Sequence, residues 1–332
     1  MRPVVSVIMP VRDGGAYLRE AVDSILSQSF ADLELILVDD HSADQAIAAL
    51  QRSDPRLQLL ANPGRGVSSA FNTGLARARG AFIARMDADD LALPERLAQQ
   101  LAYLDARPDV AICGACVELF SERPLRGGNL RYQRWLNGCR SPAQIHRQMF
   151  VESPLPNPTA MFRRQALLQL GGYADPPWPE DYDLFLRARE AGLRMGKPDA
   201  TLLRWREHEG RLTRRDARYA LERFQAAKAH YLARGPLRGA RPVVLWGAGP
   251  TGRLMHDLLA AEGVRVEGFL EVDQRKIGGE KRGRPVWPVS RLENLEQAMV
   301  LVAVGSPGAR ERIGAHMESL RRIEGDSYLF VA

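Results

Sequence analysis

The sequence predicts an α/β protein with a mostly parallel sheet, followed by a second and smaller α/β domain. Two observations predict this class. Roughly the first 110 residues alternate short apolar runs with amphipathic stretches, and a pattern of strand, glycine turn and helix begins again near residue 242. Strands that alternate with helices of about 10–15 residues form βαβ units. Their carboxyl ends share one edge of the sheet, where ligands bind.

Hydrophobic periodicity assigns the elements of the first part. Short apolar runs predict strands at 4–9, 33–38, 57–60 and 81–86. Amphipathic stretches predict helices at 16–27, 43–52 and 67–79. Mixed strands and helices are expected from 110 to 203. A long basic helix is predicted at 213–234, with Thr213 as its N-cap.

Length and composition predict a globular protein of two domains. The 332 residues exceed one typical domain, and 45% hydrophobic with 26% charged residues excludes a disordered chain. No apolar run reaches the roughly 18 residues of a membrane-spanning helix. The first apolar run is soon interrupted by Asp13, which favours a strand over a signal peptide. Three cysteines are too few for a disulfide framework, so we expect a cytoplasmic protein.

The net charge of +6 favours polyanionic partners such as nucleotide diphosphates or anionic lipid head groups. Nothing resembles a nucleic-acid-binding module and aromatic residues make up only 7%, so no nucleic-acid partner is expected. The basic stretch 214–234 is compatible with peripheral contact at the inner face of a membrane, with a solvated basic face as the alternative.

The cysteines pose a separate question. Cys113 and Cys116 form a CxxC, and Cys139 and His146 could add two zinc ligands. The spacing is not a known zinc pattern, and the pair does not open a helix as a redox motif would. We therefore expect small buried residues in a strand.

Two acidic clusters follow predicted strands. Asp39 and Asp40 come after 33–38, and Asp87, Asp89 and Asp90 come after 81–86. Three carboxylates within four residues repel one another, which is tolerable in a solvated turn or beside a cation. Mg²⁺ and Mn²⁺ prefer oxygen ligands and use one or two carboxylates together with phosphate oxygens.

Six ordered segments between residues 4 and 213 resemble one known family. They read Val5-Ser-Val-Ile-Met-Pro-Val11, Glu34-Leu-Ile-Leu-Val-Asp39-Asp40-His-Ser42, Gly64-Arg-Gly66-Val-Ser-Ser-Ala-Phe-Asn72-Thr-Gly74, Ala84-Arg-Met-Asp87-Ala-Asp89-Asp90, Trp178-Pro-Glu180-Asp181-Tyr-Asp183 and Trp205-Arg206-Glu-His208-Glu-Gly-Arg211. In this order they resemble family 2 glycosyltransferases of the GT-A fold, which are inverting enzymes that use nucleotide sugars.

The resemblance implies a donor site at the first four segments and the last. The residues expected to contact the nucleotide sugar are Pro10, Val11, Asp39, Asp40, Gly66, Asn72, Asp87 and Arg206. Asp40 is expected to hydrogen-bond the base, Asp87 to face the ribose and sugar, and Arg206 to meet phosphate. Two departures stand out: Arg12-Asp13 replaces the frequent Tyr-Asn, and His41 replaces the usual glycine.

The resemblance also implies the chemistry. Asp89 and His208 are expected to bind Mn²⁺ or Mg²⁺, which would offset the charge of the leaving diphosphate. Asp181 is the expected general base for the acceptor hydroxyl, with Glu180 and Trp178 on the acceptor side. A plain acidic first turn of a helix is the alternative for Glu180 and Asp181. A UDP-sugar is the expected donor. The acceptor is expected to be a saccharide or a lipid-linked saccharide in cell-surface polysaccharide or glycoconjugate synthesis.

The C-terminal part is expected to be Rossmann-like. Gly247, Gly249 and Gly252 form a GxGxxG turn after a strand, and Asp273 follows about 20 residues later. The segment 268–286 resembles the N-terminal domain of bacterial sugar acyltransferases. The predicted domains are 1–234 for the GT-A part, 235–242 for a linker and 243–332 for an accessory domain. A working NAD oxidoreductase is disfavoured because about 90 residues are too few.

Two other functions are alternatives to sugar transfer. A nucleotide-sugar-binding protein without turnover is disfavoured because Asp89, Asp181 and His208 are all present. A nucleotidyltransferase would need a basic loop for triphosphate near the N-terminus, and the segment 12–15 supplies a single arginine.

Overall fold

The computed structural model describes residues 2–50, 54–239 and 241–332. The chain forms two compact units, each treated separately below. The first comprises Met1–His146, Pro154–Pro176 and Asp183–Asp216. The second comprises Arg147–Ser153, Pro177–Tyr182 and Ala217–Ala332. The domain limits predicted from the sequence stay a prediction.

The elements up to residue 216 alternate much as the sequence predicts. The strands are β1 (Val5–Val11), β2 (Leu33–Asp39), β3 (Leu57–Ala61), β4 (Phe82–Arg85), β5 (Leu91–Ala92), β6 (Val110–Cys113), β7 (Cys116–Phe120), β8 (Met161–Arg163), β9 (Arg194–Gly196) and β10 (Thr201–Arg206). The helices are α1 (Tyr17–Leu26), α2 (Val67–Arg77), α3 (Arg96–Asp105), α4 (Gly127–Gly138), α5 (Pro142–Gln148), α6 (Arg164–Gln169), α7 (Glu180–Glu190) and α8 (Leu212–Arg215).

The main sheet of the first unit has seven strands in the order β3-β2-β1-β4-β8-β6-β9. Strand β1 runs parallel to β2 and β4, and Val11 lies opposite Asp39. A second sheet has the order β5-β10-β7. The carboxyl ends of β2, β1 and β4 therefore lie side by side, which confirms the predicted α/β class.

Strand β1 is buried on both faces because its alternate residues meet different layers. Val7 and Met9 belong to one apolar cluster with Leu18 of α1. On the other face, α2 comes so close that a Cβ on Gly74 would lie 2.6 Å from a methyl of Ile8. A central strand covered on both sides reads as a continuous apolar run.

Two predicted helices are wrong. The described part of 43–52 contains turns and bends, with one helix-type bond from the amide of Ala49 to the carbonyl of Gln45 (3.0 Å) and a shorter-range bond from Leu50 to Ile47 (3.3 Å). One such bond does not offset the entropy of starting a helix. The predicted helix 213–234 breaks at Asp216 and Ala220, both of which are extended, so Thr213 caps nothing.

The second unit contains helix α9 (Leu221–Arg234) and a six-stranded sheet. Its further elements are β11 (Val243–Trp246), α10 (Pro250–Ala261), β12 (Val266–Glu271), β13 (Glu280–Lys281), β14 (Arg284–Pro288), β15 (Met299–Val302), α11 (Ala309–Ser319) and β16 (Tyr328–Phe330). The strand order is β13-β14-β12-β11-β15-β16, and all pairs except β13 with β14 are parallel.

The turn between β11 and α10 requires glycine. Gly247 has φ +115°, and a Cβ on Gly252 would lie 1.8 Å from the carbonyl oxygen of Gly247. The turn thus has the tight geometry that the GxGxxG spacing predicts, while the likeness to sugar acyltransferases stays a prediction. No helix within the described ranges is long and apolar enough to cross a membrane.

A buried carboxylate fastens the amino ends of the central strands. Glu34 accepts hydrogen bonds from Ser6 Oγ (2.6 Å), from Gln58 Nε2 (2.9 Å) and from the backbone and guanidinium of Arg79. Burial raises the pKa of Glu34, but the hydrogen bonds from Ser6 and Arg79 outweigh it and lower the pKa below the usual 4.5. Every hydrogen-bond partner of Glu34 is a donor, so this position requires a side chain that only accepts hydrogen bonds, such as an ionised carboxylate.

We expect Glu34→Gln to lower the free energy of unfolding by about 2–3 kcal/mol, because its amide NH₂ would face donors. Glu118→Gln, at a carboxylate that is 59% exposed, should cost less than about 0.5 kcal/mol in urea titrations. Since the folded pKa is lowered, the Glu34 contribution is complete above the pKa of the unfolded chain. It is lost as the pH falls through the folded pKa. Equal costs for both variants, or a pH-independent difference, would contradict this.

Candidate active site

The three carboxylates after β4 lie in one turn at the carboxyl edge of the sheet. Asp87 and Asp89 are partly exposed, whereas Asp90 is 1% exposed. Asp90 Oδ1 accepts the backbone N–H of Arg206 (2.8 Å), and its Oδ2 has no hydrogen-bond partner within the described ranges. Burial, with the charges of Asp89 and Asp87, raises the pKa of Asp90 well above its usual value. The turn thus crowds three carboxyl groups together, and the buried one resists ionisation.

The structure brings the two predicted metal ligands together. His208 Nε2 lies 2.8 Å from Asp89 Oδ2, although 119 residues separate them. Their side chains are 24% and 31% exposed, so both reach solvent. The His208 ring also lies against Tyr17, with centroids 5.2 Å apart.

Buried guanidinium groups support the acidic turn from within. Arg85 donates to Asp87 Oδ1 (2.9 Å) and stacks over the rings of Phe71 and Tyr173. Arg96 is fully buried and donates to the carbonyl of Arg85 (2.6 Å). Burial lowers the pKa of Arg96 to about 10, which leaves it charged at neutral pH. These cations offset part of the repulsion within the turn.

Arg206 holds the turn in place. Its Nε donates to the carbonyl oxygen of Asp89 (2.7 Å), and its Nη2 donates to Glu20 (2.7 Å). The guanidinium lies between the rings of Tyr17 and Phe120, at 4.2 and 4.5 Å from their centroids. The predicted contact of Arg206 with phosphate stays a prediction.

The residues present fit a magnesium or manganese ion held jointly with a ligand. Within the described ranges, no group of three or more His, Cys, Asp or Glu side chains could hold a metal by itself. Asp89 and His208 supply two ligand atoms at one partly exposed point. Mg²⁺ is commonly bound by one or two carboxylates, with phosphates and water completing its shell. Behind this pair, the buried carboxyl group of Asp90 accepts the backbone N–H of Arg206 and so helps to fix the turn.

The ends of β1 and β2 are joined to the glycine loop before α2. Asp40 donates its amide to the carbonyl of Val11 (2.7 Å), next to Pro10. Its buried carboxylate accepts the N–H of Gly66 (3.0 Å) and Asn62 Nδ2 (2.6 Å). Asp40 is therefore fixed between two strand ends and the loop.

The two departures from the family pattern have structural explanations. His41 has φ +61°, a left-handed conformation that favours glycine, and its Nε2 lies 2.7 Å from the carbonyl of Gly64. Asp13 accepts the amides of Ala43 and Asp44. Asp39 accepts the amide of Ser42 (2.9 Å). Side-chain bonds thus hold both loops in shape.

Asn72 connects α2 to the loop after α6. Its Nδ2 donates to the carbonyl of Tyr173 (2.7 Å), and its Oδ1 accepts the Tyr173 amide (3.0 Å). Gly172 leaves room for this contact, since a Cβ there would lie 2.5 Å from Asn72 Oδ1. Asn72 has a structural role, and donor contact by it stays a prediction.

The predicted base lies at the start of α7, in a segment that belongs to the second unit. Asp181 is partly exposed in the first helical turn. Glu180 is 2% exposed and accepts the hydroxyl of Tyr219 (2.6 Å). Trp178 stacks near His230, with ring centroids 5.1 Å apart. The roles of the predicted base and acceptor residues stay predictions.

In the second unit, Glu271 is closer to the glycine turn than the predicted Asp273. Glu271 Oε2 lies 3.4 Å from the amide of Ala248, between Gly247 and Gly249. Asp273 pairs with Arg275 and Lys276. Ligand contact by Asp273 stays a prediction. The end of the apolar run at 266–270 was the signal for Glu271.

The cysteines form no metal group within the described ranges. Cys113 ends β6 and Cys116 begins β7, both are buried and outside any disulfide, and Cys139 is buried as well. Burial raises the pKa of Cys113 to about 12, which suppresses its thiolate. The expectation of small buried strand residues is confirmed.

Sequence reasoning missed the arginines that support the turn. Arg85 lies within the acidic motif, and a charged residue in an apolar strand end was an available signal. Arg96 lies in the first turn of α3, and nothing in its local pattern distinguishes it from a surface arginine.

Comparison with known proteins gives a consistent result. The family model for glycosyl transferase family 2 matches residues 6–171, half of the chain. EpsE of Bacillus subtilis (strain 168), named as a glycosyltransferase, is 33% identical over 229 residues, which are 66% of this chain and 79% of that protein. The amylovoran biosynthesis glycosyltransferase AmsE of Erwinia amylovora is 31% identical over 189 residues, 56% of this chain and 67% of AmsE.

Solved structures share the fold. S. aureus TarS (residues 1–349, in complex with UDP-GlcNAc) is 18% identical with a TM-score of 0.57, covering 78% of this chain and 72% of that one. The mannosyltransferase PcManGT of Pyrobaculum calidifontis, in complex with GDP-Man and Mn²⁺, is 21% identical with a TM-score of 0.51, covering 79% and 74%. At these identities the comparison establishes the fold alone.

We expect Arg206→Met to destabilise the chain by about 2–3 kcal/mol, because the Asp89 carbonyl and Glu20 lose a charged donor. Arg204→Met is the matched control. Arg204 also stacks over Phe120, but its ion pair with Glu118 is exposed, so its loss should cost less than about 1 kcal/mol. Urea titration measures both, and equal costs would refute a specific role for Arg206.

Proposed function

The chain therefore belongs to glycosyl transferase family 2 and is a glycosyltransferase, and we propose that it transfers a sugar from a nucleoside diphosphate to an acceptor hydroxyl with inversion. The observation that carries this proposal is the contact between Asp89 and His208 at the carboxyl edge of the sheet. It places a carboxylate and an imidazole where parallel sheets bind ligands.

A UDP-sugar is the proposed donor. The structure of TarS contains UDP-GlcNAc and that of PcManGT contains GDP-Man, so neighbours of this fold bind nucleotide sugars with different bases. The base would lie beside Asp40 at the ends of β1 and β2. The Asp40 carboxylate already accepts the N–H of Gly66. Its remaining lone pairs would accept an N–H of the base.

A divalent cation is proposed at Asp89 and His208. Mn²⁺ accompanies GDP-Man in PcManGT, which supports a metal for this chain. When bound, the ion supplies positive charge opposite the diphosphate as it departs. Asp90 and Arg206 orient the turn that presents Asp89, so that the carboxylate is positioned before the donor arrives.

Asp181 is the proposed general base. It would accept the proton of the acceptor hydroxyl as that oxygen attacks the anomeric carbon from the face opposite the leaving group. The sugar passes through an oxocarbenium-like transition state, as in other glycosyl chemistry. Glu180 is held by Tyr219 and would fix the start of α7 beside Asp181.

The proposed products are cell-surface polysaccharides or glycoconjugates. AmsE is named for amylovoran biosynthesis, and this chain is 31% identical to it. The acceptor would be a saccharide or lipid-linked saccharide at the cytoplasmic face of the membrane. The second unit would serve as an accessory ligand-binding domain through the turn at Gly247, Gly249 and Gly252, with Glu271 facing that turn.

We expect Asp89→Asn and His208→Gln to abolish most of the Mn²⁺-dependent gain in UDP affinity, because each removes one proposed metal contact. Calorimetric titration of UDP with Mn²⁺ and with EDTA measures the gain. Glu209→Gln is the control, since Glu209 is next to His208 in sequence but its side chain is 77% exposed. An unchanged Mn²⁺ dependence in both site variants would refute the metal site.

We expect Asp181→Asn to lower kcat by about 10² to 10⁴, the usual contribution of a general base, while UDP affinity with Mn²⁺ stays unchanged. Transfer of labelled sugar to a lipid extract measures the rate. Asp199→Asn, at a side chain that is 74% exposed, should retain full activity. Full transfer by Asp181→Asn would remove Asp181 from the mechanism.

A further inference from the structure

A cavity lies along α2, in the first unit. It has a volume of about 490 Å³, within the range of small-molecule sites. Its lining side chains are polar or amphipathic and come from α2, from the loop before it and from the loop after α6: Arg65, Ser68, Ser69, Asn72, Thr73, Tyr173 and Asp175. None of the acidic residues at 87–90 lines it, so the cavity is separate from the proposed metal site.

The amino end of α2, which forms one wall of the cavity, offers N–H donors and positive charge to an anion. Helix α2 begins after Gly66 without a side-chain cap, and the amides of Val67, Ser68 and Ser69 find no acceptor among the described residues. Such N–H groups lie at the positive end of the helix dipole. Arg65, which is exposed, adds a full positive charge at the same end.

An unpaired buried hydroxyl is a second, independent sign of a ligand. Ser68 is 6% exposed, and its Oγ has no hydrogen-bond partner within the described ranges. An unsatisfied buried hydroxyl costs stability, and such groups are rare unless a ligand or water completes them. Ser69 differs, because its Oγ donates to Asn62 Oδ1 (2.8 Å).

The rest of the lining suits hydroxyl groups. Asp175 contributes a carboxylate that would repel a bare anion but accept hydrogen bonds from sugar hydroxyls. Tyr173, from the loop after α6, and Thr73, one turn along α2 from Ser69, add amphipathic and hydroxyl surface to the lining. A ligand that bonds both to the amino end of α2 and to Asp175 carries a phosphate at one end and several hydroxyls at the other.

We propose that this cavity binds a phosphorylated saccharide, with its phosphate at the amino end of α2 and its hydroxyls toward Asp175. If the proposed glycosyl transfer holds, this ligand is the phosphate-bearing end of the acceptor. Binding itself does not depend on turnover, so the cavity can be tested separately from the transfer reaction.

The test is calorimetric titration of the full chain with glucose 1-phosphate, inorganic phosphate and glucose. We expect glucose 1-phosphate to bind more tightly than either fragment. Arg65→Ala and Ser68→Ala should each weaken its binding about tenfold, the effect of losing one charge-assisted hydrogen bond. Arg77→Ala, an exposed arginine in the last turn of the same helix, should bind like the wild type.

Thermal unfolding provides a second readout. Without ligand, Ser68→Ala should unfold at the same or a higher temperature than the wild type, because it removes an unpaired buried hydroxyl. A loss of ligand binding together with unimpaired stability excludes simple misfolding. A clear fall in stability would show that Ser68 has a structural partner and would overturn the argument.

Titration with UDP and Mn²⁺ separates this proposal from the proposed function. Both variants should bind UDP with Mn²⁺ normally, whether or not the proposed transfer reaction holds. An equal loss of UDP binding would assign the cavity to the donor site and overturn the proposal. So would absent binding of glucose 1-phosphate, equal binding by all variants, or phosphate binding as tight as the sugar phosphate.

Discussion

The site depends on the balance of charge around three neighbouring carboxylates. Asp87, Asp89 and Asp90 are crowded into one turn, and isolated they would repel one another strongly enough to unfold it or to become protonated. Guanidinium groups on strands and a helix hold the turn together: Arg85 from β4, Arg96 from α3 and Arg206 from β10. Different elements of the first unit therefore converge on one short segment, and the proposed cation would offset the remaining negative charge.

Much of this arrangement was predictable from local patterns. The strand predicted at 33–38 is observed as Leu33–Asp39. The acidic residues at its end lie at the expected edge of the sheet because parallel strands align their carboxyl ends. The contact of Asp89 with His208 was predicted only through the family motif, since no spacing rule joins residues 119 apart. The burial of Arg96 had no local signal at all, because it depends on tertiary packing.

The failures also have physical causes. Periodicity predicted one helix over 213–234, but it does not register the extended backbone at Asp216 and Ala220 that divides the segment. The approximate motif spacing indicated Asp273 and gave no reason to consider Glu271, which ends β12. Such errors arise where the backbone angles of one or two residues decide where a helix or strand ends.

The reciprocal bonds between Asn72 and Tyr173 have a consequence for chemical ageing of the protein. An amide can donate and accept at once, whereas an ionised carboxylate can only accept. Spontaneous deamidation of Asn72 to aspartate would therefore place two electron-rich oxygens against each other, at the Tyr173 carbonyl. A molecule deamidated at this position would therefore carry one more negative charge and hold the loop less firmly against its helix.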